Sequence, residues 1–125
     1  MKSLLFVSLM WLSSFSTPDF GSISSALGSG NIESLSRHFD ENVEVSVLKK
    51  EDTYSKIQAT ETVRGFFAKN KPSKFTQVHQ GVSKANDSHY FIGDLATSGG
   101  SFRVYMYMKV VNDSYYIQEM RFDKN

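Results

Sequence analysis

The stretch Ser101–Val111, SFRVYMYMKVV, constrains the fold of this chain more than any other. Phe102, Val104, Met106, Met108 and Val110 alternate with Arg103, Tyr105, Tyr107 and Lys109. A period of two places the first set on one face of a strand and the second on the other. The run is rich in aromatic and branched side chains and free of Gly and Pro, so it suits the middle of a sheet with helices on its apolar face.

Three further strands are expected around it, at Lys74–Val82, His89–Thr97 and Tyr115–Phe122, with Ser101–Val111 between the last two. Earlier in the chain, Val43, Val45 and Val47 alternate with Glu44 and Ser46, predicting another half-buried strand. Lys49–Asp52 reads as a turn. Helices are expected from Ser22, where Ile23, Ala26 and Leu27 recur at helical spacing, and from an Asn31 N-cap, with Ile32, Leu35 and Phe39 on one face. The clearest helix start is Ser55 with Gln58 three residues on, a capping box. Ala59, Val63, Phe66 and Phe67 form that helix's buried stripe, and Gly65 suggests close packing on another backbone. Helices followed by antiparallel strands give an α+β fold: a curved antiparallel sheet wrapped on N-terminal helices.

The first residues belong to something else. Lys2 precedes a run from Leu4 to Leu12 broken only by Ser8, and Ser14 and Ser16 give a small-x-small pattern. This reads as a signal peptide over residues 1–16, too short to span a bilayer. Residues 17–125 then form one domain, exported to the periplasm or beyond the cell. No cysteine is present, which removes disulfides, thiol nucleophiles and thiolate metal sites. Fourteen basic residues less Lys2 leave thirteen against thirteen acidic ones. Such a balance argues against nucleic acid as a partner.

Register decides which side chains could meet a ligand. A hairpin centred on Gly99-Gly100 sets Leu95 opposite Val104, Gly93 opposite Met106 and Phe91 opposite Met108. A two-residue Asn112-Asp113 turn pairs Met108 with Ile117, Met106 with Glu119 and Val104 with Arg121, bringing both charges inside. A three-residue turn that includes Ser114 instead turns Tyr116, Gln118, Met120 and Phe122 inward, because a one-residue slip exchanges the faces. On the two-residue reading, Phe91, Val104, Met106, Met108, Ile117, Glu119 and Arg121 line a candidate pocket, with Arg121 placed to clamp an anion. An ion pair at the end of the sheet is the other meaning of those two charges. The opposite face carries Tyr90, Ile92, Asp94, Arg103, Tyr105, Tyr107 and Lys109. Its Tyr and Arg content is that of an interface, here with a second copy of the chain, or else of a solvated sheet with snorkelling tyrosines.

Signs of catalysis are weak. His38, His79 and His89 lack metal-ligand spacing, so neither a metal nor another cofactor is expected. The sequons at Asn86 and Asn112 fall where turns want Asn and Asp.

From Ala26 to Val47, ALGSGNIESLSRHFDENVEVSV resembles the opening of the nuclear transport factor 2-like superfamily of cone-shaped domains, which includes ketosteroid isomerases. The segments Tyr54–Ala59, Phe66-Phe67, Phe102–Tyr105 and Tyr116–Gln118 are similar to a secreted bacterial family of unknown function. The resemblance implies a cone with a cavity and, often, a dimer seam on the outer sheet face. The isomerases of the superfamily place an aspartate base near the first strand, and Val43–Val47 contains none. The combined expectation is a secreted, non-enzymatic domain that binds a small molecule or peptide in its cone. An isomerase- or hydratase-type enzyme and a purely structural interaction module are the alternatives.

Overall fold

The computed structural model describes residues 20–83 and 87–125. The proposed signal peptide and Asn86 lie outside them. The element order is α1 (Phe20–Ser29), α2 (Ile32–Ser36), β1 (Phe39–Val47), β2 (Lys50–Ser55), α3 (Lys56–Lys69), β3 (Pro72–Val82), β4 (Ser88–Thr97), β5 (Gly100–Val111) and β6 (Ser114–Lys124). The strands form one curved sheet in the order β2-β1-β6-β5-β4-β3, with the helices on one face. All neighbours are antiparallel except β1 and β6.

Local chemistry sets the helix ends. Gly30 closes α1 at a φ of +69°, with its N–H donating to Leu27 and the Asn31 N–H to Ala26, the paired bonds of a Schellman cap. Asn31 then caps α2 by accepting from the Ser34 N–H at 3.1 Å. The Ser55–Gln58 capping box of α3 is complete in both directions. Gly65, in contrast, is exposed, and a Cβ added there would have no neighbour within 4 Å. The close approach falls instead at Gly28, where a Cβ would lie 3.1 Å from the Phe75 nitrogen. Gly65→Ala should therefore stabilise the domain by about 0.5–1 kcal/mol, read as a rise in urea midpoint.

Two segments differ from the sequence reading. Phe39 opens β1 instead of continuing a helix, because α2 is only five residues long and the His38 carbonyl accepts from the Ile117 N–H across the sheet. Lys50–Ser55 is an edge strand, and the turn before it is the pair Leu48-Lys49. Both are left-handed, at φ +52° and +73°. A primed hairpin turn demands this conformation, and Asn-Gly meets it cheaply; for Leu and Lys it costs roughly 1–2 kcal/mol each. Only Tyr54 of β2 is half-buried, so this strand has no apolar alternation to read.

The β4–β5 hairpin closes one residue early, with Thr97 opposite Gly100. The Thr97 hydroxyl accepts from the Gly99 N–H at 3.0 Å and donates to the Gly100 carbonyl at 2.7 Å, which tightens the turn around Ser98-Gly99. Leu95 thus faces Phe102, Gly93 faces Val104 and Phe91 faces Met106. The register moves by two residues, so no side chain changes face. The core receives Phe91, Leu95, Phe102, Val104, Met106 and Met108, all buried. Phe66 meets Phe122 at 4.4 Å and Phe102 edge-on at 5.0 Å between ring centres.

Candidate functional site

The last strand decides what the two faces of the sheet present. Asn112 and Asp113 form the expected two-residue turn, both left-handed, with Val111 opposite Ser114. Met108 accordingly meets Ile117. Beyond that point a bulge at Gln118 breaks the ladder, and Tyr107 pairs with Glu119, Met106 with Met120 and Val104 with Phe122. The expected pairings of Met106 with Glu119 and Val104 with Arg121 are therefore corrected: Glu119 and Arg121 project from the outer face. The cause is burial. Met120 and Phe122 are completely buried in their place, and leaving two charges unpaired in the core would cost several kcal/mol. The Gln118 side chain reaches across the strands and donates to Asp40 Oδ2 at 3.2 Å.

The remaining candidate pocket residues, Phe91, Val104, Met106, Met108 and Ile117, are at most 3% exposed and pack as core. The seven positions thus divide between an apolar interior and two outward charges. Those two charges join the residues of the expected partner surface. A shallow groove of about 200 Å³ on the outer face is lined by Tyr90, Ile92, Tyr105, Tyr107, Glu119 and Arg121 among others. The Arg121 guanidinium lies 4.4 Å from the Tyr105 ring centre and donates to Asp123 at 3.2 Å. Arg103 pairs with Asp94 at 2.8 Å, and Lys109 with Asp40 at 3.3 Å. The Tyr90 ring lies over Gly81, where a Cβ would collide with it, and its hydroxyl is 3.3 Å from His79 Nε2. Cross-strand pairing thus locks most of the charged side chains of this face in place.

Glu119 is the exception. Burial, and then the nearby carboxylates of Glu44 and Glu51, push its pKa up, while Arg121 pulls the other way. A raised pKa in the folded state means that ionising Glu119 costs stability, beginning as pH rises through the ordinary glutamate range near 4.3. Glu119→Gln should stabilise the fold at neutral pH, and its advantage should vanish below about pH 4. Urea melts at both pH values, run dilute enough that copies of the chain stay apart, check this; a destabilised variant at pH 7 would contradict it. The neighbouring acids behave differently. Asp94 is held below its usual range by the Asn125 amide and Arg103 against the effect of burial. At Asp40 burial is the largest influence, but the Glu41 N–H, Gln118 and Lys109 together outweigh it and lower the pKa.

The sequence reading did not include Glu44 and Glu51 in this surface. Glu44 was legible from the β1 alternation, whereas Glu51 depends on the unexpected strand β2. Tyr115 and His89 also meet, with the hydroxyl 3.1 Å from Nδ1, and burial raises the Tyr115 pKa.

A curved six-stranded sheet with helices on one face is the architecture of a nuclear transport factor 2-like domain. A protein of that class from Cytophaga hutchinsonii ATCC 33406, of unknown function, superposes with a TM-score of 0.57 at 13% identity, over 82% of this chain and 84% of its own. The family can be stated more closely: residues 20–123 match the domain of unknown function DUF4783, and the chain belongs to that family. A DUF4783 protein of Bacteroides ovatus ATCC 8483 is 32% identical over 90% of this chain and 98% of its own, with a TM-score of 0.80. A second, from Bacteroides fragilis YCH46, is 30% identical over 84% and 97%, with a TM-score of 0.77. No curated protein matches the chain.

Proposed function

We propose that this domain is a non-enzymatic binding module of an exported protein, and that it works through the outer face of its sheet by pairing with a second copy of itself. The observation that carries the reading is the Gln118 bulge. It adds Glu119 and Arg121 to a surface already bearing Tyr90, Ile92, Tyr105 and Tyr107, while the interior positions expected to meet a ligand are filled core. The surface is self-complementary. Arg121 and Glu119 are successive outward residues of β6, and Tyr105 and Tyr107 stand opposite them on β5. A two-fold axis running across the strands between these rows sets Arg121 against Glu119 of the partner subunit and tyrosine against tyrosine. Aromatic residues at the centre with charges around them are the usual composition of such a seam. Export is supported by the character of residues 1–16.

Light scattering on residues 17–125 tests the reading. The wild type should be a dimer and Tyr107→Glu a monomer. Arg121→Glu should also dissociate, and adding Glu119→Arg should restore the dimer, because the double exchange preserves complementarity across a two-fold axis. A wild type that stays monomeric up to its solubility limit would overturn the proposal.

A further inference from the structure

The fold separates charges that the sequence leaves balanced. Six of the nine lysines after residue 16 come together at one end of the domain: Lys49 and Lys50 at the β1–β2 turn, Lys69 and Lys71 where α3 runs into β3, Lys74 near the start of β3, and Lys124 at the end of β6. Strand register places them there. Lys50 pairs with Val47, Val47 with Phe122, Lys124 with Phe102 and Lys74 with Ala96, all at the same end of the sheet. The Lys71 N–H donates to the Ser98 hydroxyl in the β4–β5 turn at 2.9 Å, and the Ser98 N–H donates back to the Lys71 carbonyl at 2.9 Å. The Lys124 ammonium lies over the Phe102 ring and 3.4 Å from the Gly99 carbonyl, and Gly99 abuts Asn70, between Lys69 and Lys71. All six lysines are exposed, and none takes part in an ion pair among the described residues. Asp94 and Asp123, the carboxylates of β4 and β6 nearest this end, are already matched by Arg103 and Arg121, and Glu51 and Asp52 follow further along β2. A surplus of positive charge remains. The dipole of α3 explains Lys69, and protection of the two edge strands explains Lys50 and Lys74. Neither explains why the six share one end. The tip of the β1–β2 turn adds Leu48, 53% exposed beside them.

We infer that this end of the domain docks on an anionic phospholipid bilayer, its lysines among the headgroups and Leu48 reaching below them. The spread of the charges selects a surface over a small anion. Five strand spacings of about 4.8 Å separate Lys50 on β2 from Lys74 on β3 along the curve of the sheet, and Lys69 and Lys71 stand off the sheet at the end of α3. A two-dimensional array of that width matches a charged plane, where a single phosphate or carboxylate would meet one or two of the six. Leu48 selects lipid over a soluble polyanion, since an apolar side chain on a projecting turn gains from the acyl boundary and nothing from a sulfated sugar. Formal neutrality of the domain is no obstacle. At a Debye length of about 8 Å a plane responds to the charges nearest it, not to the sum over the molecule. The docking end shares no residue with the surface proposed above for self-association.

Sedimentation of residues 17–125 with sucrose-loaded vesicles tests the inference. Vesicles of phosphatidylglycerol and phosphatidylcholine in equal parts should pellet the protein, vesicles of phosphatidylcholine alone should not, and about 0.5 M NaCl should release it. Each lysine near such a surface is worth about fivefold in affinity, so Lys49→Gln with Lys50→Gln should weaken binding roughly 25-fold, as should Lys71→Gln with Lys124→Gln. Arg37→Gln with Lys56→Gln removes the same charge elsewhere and should leave the affinity within about twofold. Circular dichroism confirms that each variant folds. Leu48→Ser should weaken vesicle binding about fivefold and leave binding to dextran sulfate, a soluble polyanion, unchanged. Equal pelleting by phosphatidylcholine alone, or an equal loss in the Arg37 and Lys56 pair, would overturn the assignment. So would a Leu48→Ser variant that binds vesicles as the wild type does, in favour of a soluble polyanion. The two-fold axis proposed above puts the lysine ends of two copies at opposite ends of the dimer, so Tyr107→Glu should bind vesicles unchanged. Failure of the dimer and failure of the docking are thus read separately.

Discussion

A chain with one alanine inserted between Glu119 and Met120 should fail to fold, whereas a chain lacking Gln118 should fold with the loss of only about 1–2 kcal/mol. The contrast follows from the phase of β6. Ile117 points inward and so does Met120, three positions later, and the bulge at Gln118 absorbs the odd residue. Removing Gln118 leaves Ile117, Glu119, Met120, Arg121 and Phe122 in regular alternation with every side chain on its present face. The loss is the bond to Asp40 and some local twist. An added alanine does the opposite, turning Met120 and Phe122 out and Arg121 and Asp123 in. Re-exposing two fully buried side chains costs about 1.5–3 kcal/mol apiece. Unpaired buried charge adds several more. Together these consume a typical total stability of about 5–15 kcal/mol. Circular dichroism and urea melts of the two variants check the pair; an insertion variant as stable as the deletion would show that β6 tolerates either phase.

Phe66→Ala should cost about 3–5 kcal/mol, the usual range for deleting a buried aromatic ring. Phe66 is the residue through which α3 grips the sheet. Its ring meets Phe102 on β5 and Phe122 on β6, and Phe67 supports it from the same helix turn. The cavity left by truncation is walled by rings fixed on two strands, so it has little freedom to collapse. A thermal midpoint lowered by roughly 15 °C or more is the expected reading. A loss below about 1 kcal/mol would mean that α3 can repack through Phe67 alone.

Where burial imposed a period, the chain could be read. The even positions from Phe102 to Met108 all enter the core, with Val110 half-buried beside them, and the neighbouring hairpin keeps its faces because its centre is displaced by a register of two residues, one full period. The outer surface was legible for the same reason. In β6 the misreading had a visible cause. Tyr115 and Ile117 keep one phase, while Met120 and Phe122 keep the other, and neither turn length satisfies both. Each alternative was right for half of the strand, and a spacing of three between buried positions was itself the sign of a bulge. Strand β2 left no comparable trace, since an edge with both faces wet needs no apolar alternation. Gly65 illustrates a different limit. A glycine within a helix can mark close approach or nothing, and only the neighbours of its missing Cβ distinguish the two.

The parallel pairing of β1 with β6 also bears on the order in which the fold can assemble. These two neighbouring strands come from opposite ends of the domain, so β2-β1 and β5-β4-β3 remain separate ribbons until the final residues of the chain lie between them. During synthesis the amino-terminal hairpin has α3 against it but no strand beside β1, and the sheet waits on its last dozen residues for closure. A protein truncated before Ser114 should therefore behave as two ribbons joined only through the helices rather than as a slightly weakened domain.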